Sequence, residues 1–377
     1  MYDAIVVGAR CAGAATAMLL ARRGLEVLLV DRARFPSDLP HGHFIHRHGP
    51  PLLDEWGLLD RVLATGCSPI TSLVEDLGDF TLRGEDLALD GVPVGLGPRR
   101  AALDAVLVEA AVDAGATLRE SFAVHELLFA DGRVAGVRGG SGTTERARFV
   151  IGADGRNSRV AKAAGAPTYD DVPTLTCWYF SYWSDVAGSA LELYMRDGRF
   201  VFAFPTNDRL FAVFVAWPID ELASVRGDAE RMLLETLDAV PDLADRVRGG
   251  TREERIYGAT SLPNYLRRPY GDGWALVGDA GCHKDPFLAL GICDAFRDAE
   301  LLAGAVDSVL AGARPESEAL AEYEQRRNDA TRPDYERNLH LASGRPVPAK
   351  VLTTRAQVRG DPEATRAYFL KGEGRLG

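Results

Sequence analysis

The sequence predicts an α/β fold: a parallel sheet flanked by helices, an antiparallel β-sheet carried as a second unit, and helices at the C-terminal end. Three observations predict it. Short unbroken apolar runs alternate with helical periodicity and end in glycine or a carboxylate, as strands buried on both faces of a parallel sheet do. Between residues 174 and 217, aromatic and β-branched segments follow one another with turn residues between them, a composition suited to antiparallel strands. The apolar run at residues 274–277 then restores the first pattern and leads into a long amphipathic stretch.

Element by element, residues 4–7 read as a buried strand, and residues 12–23 as an alanine-rich helix stopped by Gly24. Residues 25–30 form the next strand, with Asp31 at its end, which completes a βαβ unit. Helical spacing returns at residues 100–114, where Leu103, Val106, Leu107, Ala110 and Ala111 share a face. Residues 117–124, 124–129 and 133–136 read as short strands with a turn at Asp131-Gly132, and residues 149–153 as another buried strand. The antiparallel unit holds strands at 175–183, 190–195, 199–205 and 210–217, then a helix at 229–239 and a strand near 254–262. Residues 291–310 and 316–341 are helices, the second interrupted or bent near Pro333. This divides the chain into residues 1–170 with 265–345, residues 171–264, and a C-terminal cap or tail at 346–377.

Bulk properties narrow the function classes. At 377 residues the chain is long enough for two joined domains, and its 46% hydrophobic and 26% charged content is that of a globular protein. A net charge of -11 argues against non-specific nucleic-acid binding, which relies on a basic surface. Five scattered cysteines without metal-ligand spacing argue against a disulfide framework or a zinc site, and fit a cytoplasmic protein. The sequence predicts no membrane span and no secretory leader.

The chemistry sits in three separated segments. Residues 6–13 place Gly8, Cys11, Ala12 and Gly13 in a strand-to-helix turn. Such a turn lets a pyrophosphate approach the backbone at the positive end of a helix dipole, the Rossmann arrangement for dinucleotides. Arg10 stands where a glycine is usual, so its side chain either turns away or uses its guanidinium on the phosphate. Asp31, 23 residues after Gly8, is placed to bind ribose hydroxyls, with Arg32 beside it. The second segment is residues 152–156, with Asp154 followed by Gly155, and the third is residues 275–280, with Gly278 and Asp279.

Together these segments resemble the para-hydroxybenzoate hydroxylase-like family of FAD-dependent monooxygenases, which is related to geranylgeranyl reductases and flavin-dependent halogenases. The matching residues are Asp154-Gly155-Arg156-Asn157-Ser158-Arg159, the stretch Gly278-Asp279-Ala280 through His283 to Pro286, then Gly291-Ile292, and Arg100-Ala101-Ala102-Leu103-Asp104. The resemblance implies that Arg100 and Asp154 lie on the FAD, that Asp279 bonds the ribityl chain, and that the helix opening at Gly291 and Ile292 faces the flavin ring. Leu288 and Cys293 depart from the family pattern. His41, His43, His46 and His48 form an irregular loop read as no metal site, because no carboxylate or cysteine supports them. The family places that loop at the active-site entrance, which makes His46 a candidate for touching FAD or substrate. His283, beside Pro286, is either a general acid or base or a locally packed residue. Cys11 and Cys293 are read as small-residue filling rather than covalent flavin links.

The implied activity is NADPH- or NADH-linked hydroxylation or epoxidation of an aromatic or polyunsaturated small molecule by O2, through a flavin C4a-hydroperoxide and in secondary metabolism. The backbone from Pro286 to Ile292 would support that chemistry. Alternatives from the same residues are a geranylgeranyl reductase-like enzyme, a halogenase served by a separate flavin reductase, and a non-catalytic flavin- or metabolite-binding protein.

Overall fold

Tyr2–Val7 lies at the centre of a parallel sheet, between Thr144–Gly152 on one side and Val27–Val30 on the other. In this computed structural model, which describes residues 1–140 and 142–371, Trp274–Leu276 and Thr117–Arg119 extend the same sheet in parallel at either end. Every residue of Val27–Val30 is buried, as are residues 4–7, so these strands must be apolar throughout. The helices Cys11–Arg22, Arg100–Asp113 and Gly291–Leu310 pack together over one face, and the predicted stripe from Leu103 to Ala111 is buried there. Gly24 takes φ +82°, which a C-terminal helix stop requires. The hairpin Val124–Ala130 with Arg133–Gly139 covers the other face, turning at Asp131 and Gly132, both at positive φ.

The second large sheet runs Thr176–Ser184, Phe211–Pro218, Arg199–Pro205, Leu191–Arg196. These four antiparallel strands match the predicted segments within about a residue or two at each end. Alternation sorts their aromatic residues onto two faces. Trp178, Tyr182, Phe200 and Phe202 join Phe204 and Phe214 in one cluster, while Tyr179, Trp183 and Phe211 join Trp217 in another. Helices at Leu222–Gly227, Ala229–Leu237 and Pro241–Gly249 cover the second cluster.

Three differences from expectation have physical causes. The sheet is not purely antiparallel, because Leu73–Asp76 pairs in parallel with Leu191–Arg196 and then in antiparallel with Thr81–Gly84. Pairing across more than a hundred residues leaves no local signal. Pro333 does not interrupt the helix Glu316–Ala342, which continues through it although the proline removes one backbone donor. Residues from 346 onward form a packed cap of two helices, Ala349–Val358 and Pro362–Lys371, as far as they are described, whereas residues 372–377 of the expected cap or tail lie outside the described residues.

A buried ion pair fastens that cap. Arg355 has no solvent exposure; it donates to Glu75 and Asp79 and to the Glu75 and Phe80 carbonyls, and its guanidinium lies over the Phe80 ring. Removing one partner of a buried pair strands the other charge, so Arg355→Met should lower unfolding stability by about 3–5 kcal/mol in a urea titration. The same variant should release amide protection selectively in residues 349–371, measured by hydrogen exchange.

Candidate active site

The three motif segments converge where the backbone leaves no space for a side chain. A Cβ on Gly13 would lie 1.7 Å from the Gly8 carbonyl oxygen, and one on Gly8, at φ +103°, would lie 2.4 Å from the Ala153 oxygen. A Cβ on Gly278 would lie 2.7 Å from that of Ala12. First, second and third segments therefore touch through glycine at each contact. The helix Cys11–Arg22 begins at this point with no side chain capping its N-terminus, so its first amides remain available.

Asp31 stands at the end of Val27–Val30, buried, with Oδ2 accepting from the Ala9 N–H at 2.8 Å and Oδ1 from Ala33 N–H at 2.8 Å. A carboxylate retains further lone pairs after two such bonds. Arg32 beside it is exposed. Arg10 turns toward Asp104, donating to it at 2.6 Å and to the Ser37 hydroxyl at 3.1 Å. Of the two orientations left open by the sequence, the structure takes the one anchored in protein. Arg100 holds the same carboxylate from one helical turn away, at 3.0 Å, and Cys11 Sγ donates to it at 3.4 Å. Asp104 is thus a fully buried junction of Arg10, Arg100 and Cys11. Sequence reading quoted it only as part of a segment, although a carboxylate one turn after an arginine is a usable signal.

The Asp154 carboxylate is committed to structure. It accepts from the Ser158 hydroxyl and from the Arg159 and Val160 N–H groups, capping the helix Arg159–Ala163, and burial holds its acid dissociation above the usual range. What it brings to the convergence is backbone, since its Cα would lie 3.1 Å from a Cβ on Gly8. Asp279 sits in the turn Gly278–Ala280, half-buried, and its carbonyl accepts from the Tyr265 hydroxyl at 2.7 Å. The same hydroxyl lies 2.9 Å from the Arg156 carbonyl, so Tyr265 ties the second segment to the third. No sequence signal marks Tyr265, whose strand is local but whose partners are distant.

The cationic groups around this place are numerous. His41 is pulled down to about 3 by burial, with further lowering from Arg100, Arg156, Arg10 and His283. Uncapped helix amides beside three guanidinium groups form a donor set that suits a dianionic pyrophosphate, and the residues therefore fit a bound dinucleotide. All five cysteines are free, and burial pushes Cys11, Cys282 and Cys293 up to about 12. A thiol held that high is a poor nucleophile.

The two predicted histidines part company. His46, in the short strand Ile45–His46, lines an apolar pocket, and its carbonyl accepts from Cys293 Sγ at 3.3 Å. His283 is buried away from that lining; its Nδ1–H donates to the Pro263 carbonyl, and its ring stacks on Tyr265. Pro286 opens the turn Pro286–Leu288, and Ala289 follows in the left-handed region at φ 51°. Phe287, Leu288 and Leu290 from this stretch line the pocket together with Phe200 and Phe202. Beyond them begins Gly291–Leu310, again uncapped, with open space where a Cβ on Gly291 would stand and with Ile292 buried behind it. Lys284 and Arg297 pair with Asp294 at 2.6 and 2.8 Å, pinning the third segment to this helix.

A family profile described as FAD binding domain matches residues 1–334. The chain belongs to this family. It is an FAD-dependent oxidoreductase, similar to digeranylgeranylglycerophospholipid reductase 2 of Methanopyrus kandleri, at 29% identity over 77% of the chain and 73% of the relative. It is also similar to 6-methylpretetramide 4-monooxygenase of Streptomyces rimosus, at 28% identity over 84% of the chain and 81% of the relative. Its fold matches the myxobacterial chondrochloren halogenase CndH with a TM-score of 0.82 at 21% identity, covering 98% of this chain and 92% of that one. Among the described residues no helix is long and apolar enough to cross a membrane.

Gly13→Ala tests the convergence: a methyl group 1.7 Å from the Gly8 oxygen must push the helix off the strand. The purified variant should carry at least about tenfold less FAD than the parent, measured by flavin absorbance per chain, while its circular dichroism is retained. Iodoacetamide at neutral pH should leave all five cysteines unlabelled until the chain unfolds, read by mass spectrometry.

Proposed function

We propose that this flavoprotein takes electrons from NADPH or NADH and transfers one oxygen atom of O2 to an aromatic or polyunsaturated small molecule, by hydroxylation or epoxidation. The observation that carries this reading is the apolar pocket between the third segment and the aromatic sheet, lined by Phe200, Phe202, Phe287 and Leu288. Phe200 and Phe287 stack in direct contact at 4.4 Å and 15°, so this stretch and the aromatic sheet close one side of the pocket together. Two electrons from the nicotinamide and two from the substrate reduce O2, with one oxygen entering product and the other leaving as water.

Bound FAD supplies two-electron transfer and O2 activation. The chain's own residues do the rest. In this reading the backbone of Gly8, Arg10, Cys11, Ala12 and Gly13 holds the pyrophosphate, with Arg100 and Arg156 adding positive charge, Asp31 and Arg32 take the adenosine ribose, and Asp279 takes the ribityl chain. Within the backbone from Pro286 to Ile292, the uncapped amides of Gly291 and Ile292 at the helix start favour negative charge on the ring edge. Pocket phenylalanines exclude water, and His46 holds or moves a proton at Nε2. Residues 1–170 with 265–345 form the cofactor-holding unit, residues 171–264 the substrate sheet, and residues from 346 onward its cap.

The similar reductase keeps saturation of isoprenoid double bonds as the principal alternative, and the halogenase fold keeps halogenation by flavin reduced elsewhere. Addition of NADPH or NADH without oxygen should bleach the bound flavin, faster with a suitable aromatic compound present. Readmitted O2 should be consumed with a product heavier by one oxygen atom, followed by an oxygen electrode and mass spectrometry. Bleaching followed by a product heavier only by hydrogen would instead establish the reductase. Dependence on halide and on a partner reductase would establish the halogenase, and a flavin that nothing reduces would leave a binding protein.

A further inference from the structure

Glu75 is the residue that the mechanism does not use and the pocket does not explain. It lies in Leu73–Asp76, where alternation sends Leu73, Glu75 and Leu77 into the pocket and Val74 and Asp76 to the opposite face. The residue is only 3% exposed, and among the described residues it is the one carboxylate in a lining made mostly of leucine and phenylalanine. Its Oε2 accepts from Arg355 and, at 3.1 Å, from the Tyr368 hydroxyl, both supplied by the C-terminal cap. Its Oε1 accepts no hydrogen bond among the described residues.

Anchoring Arg355 does not account for this carboxylate. Asp79 already meets the guanidinium with two parallel bonds, from Nε at 3.0 Å and from the terminal nitrogen at 2.9 Å. Two carboxylates therefore face one guanidinium, and the surplus acceptor points at an apolar cavity. An ionised acceptor without a donor favours a ligand that supplies one.

Resting on the monooxygenase reading for the pocket's role, we propose that Glu75 Oε1 selects substrate by accepting a hydrogen bond from a hydroxyl or amino group on an otherwise apolar, aromatic molecule. A molecule presenting a carboxylate at that end is repelled, and one lacking a donor leaves Oε1 unsatisfied. Glu75 is thereby a specificity-determining residue, and the cap holds it in place through Arg355 and Tyr368.

Its protonation supplies a second handle. Burial raises Glu75 to about 7 against the opposing pull of Arg355 and Tyr368, with Asp79 adding to the rise. Since both cap donors occupy Oε2, a proton taken up on acidification goes to Oε1 and turns the acceptor into a donor. Arg47, Arg337 and His46 also line the pocket.

The test is calorimetric titration of the FAD-loaded protein with naphthol, its methyl ether and naphthoate. At about pH 8.5, naphthol should bind at least about tenfold tighter than the ether, the worth of one hydrogen bond to a charged group, and naphthoate should bind weakest. In Glu75→Gln, the amide must keep its oxygen toward Arg355 and turn its NH2 into the pocket, so the naphthol preference should fall to within about threefold. In the parent protein the preference should also shrink at about pH 5.5, and that pH effect should be absent from the variant. A parent that does not favour naphthol, a variant that keeps the preference, or naphthoate as the tightest ligand overturns the proposal. Should the variant lose its flavin, the parent alone decides: a preference indifferent to pH overturns the proposal. These outcomes are independent of turnover, so failure of the oxygenation reading shows separately as a flavin that is not reduced or a substrate that gains no oxygen.

Discussion

Close approach of three backbone segments is the constraint on which this structure depends. Gly8, Gly13 and Gly278 each stand where a single methyl group would collide with a neighbouring segment. The strand Tyr2–Val7, the helix Cys11–Arg22, the strand ending at Gly152 and the turn Gly278–Ala280 can meet only because these positions lack Cβ. Two helix N-termini near these segments, at Cys11 and Gly291, carry no side-chain cap. Fixed dipoles and guanidinium groups there suit a ligand that carries negative charge at its middle and gains it at its ring.

Behind the glycines, charge is organised to hold the segments without competing for the ligand. Asp104 takes Arg10, Arg100 and Cys11 from a fully buried position, and Asp294 takes Lys284 and Arg297. The Asp104 junction joins elements distant in sequence, and at both junctions burial means that loss of one partner strands charge rather than merely removing a contact. The same logic recurs at the cap, where Arg355 joins the last helices to the edge of the aromatic sheet. The pocket takes Phe287, Leu288 and Leu290 from the short stretch between the turn Gly278–Ala280 and the helix Gly291–Leu310, which joins its geometry to theirs.

Much of this was legible in the sequence where the signal is local. The βαβ unit, the four aromatic strands, the helix Gly291–Leu310 and the face from Leu103 to Ala111 follow from periodicity and turn chemistry alone. The glycine-rich turn and Asp31 follow from what phosphate and ribose require of a backbone. Illegible features are those created by distant partners: the parallel pairing of Leu73–Asp76, the Tyr265 bridge, the Asp104 junction and the cap's grip on Glu75. His46 and His283 were indistinguishable as isolated histidines. Only packing separates the one lining the pocket from the one bonded to Pro263.

An account built on one extended ligand is tested most directly by asking how much of that ligand the protein needs. Flavin-free protein would be titrated with FAD, FMN and riboflavin in parallel, following flavin fluorescence. Contacts spread over both helix N-termini, the guanidinium cluster and Asp31 predict that FAD binds at least about a hundredfold tighter than FMN, because only FAD engages the pyrophosphate and adenosine portions together. Equal affinity for FAD and riboflavin, or no binding by a folded protein, would contradict the convergence of the three segments on a single dinucleotide.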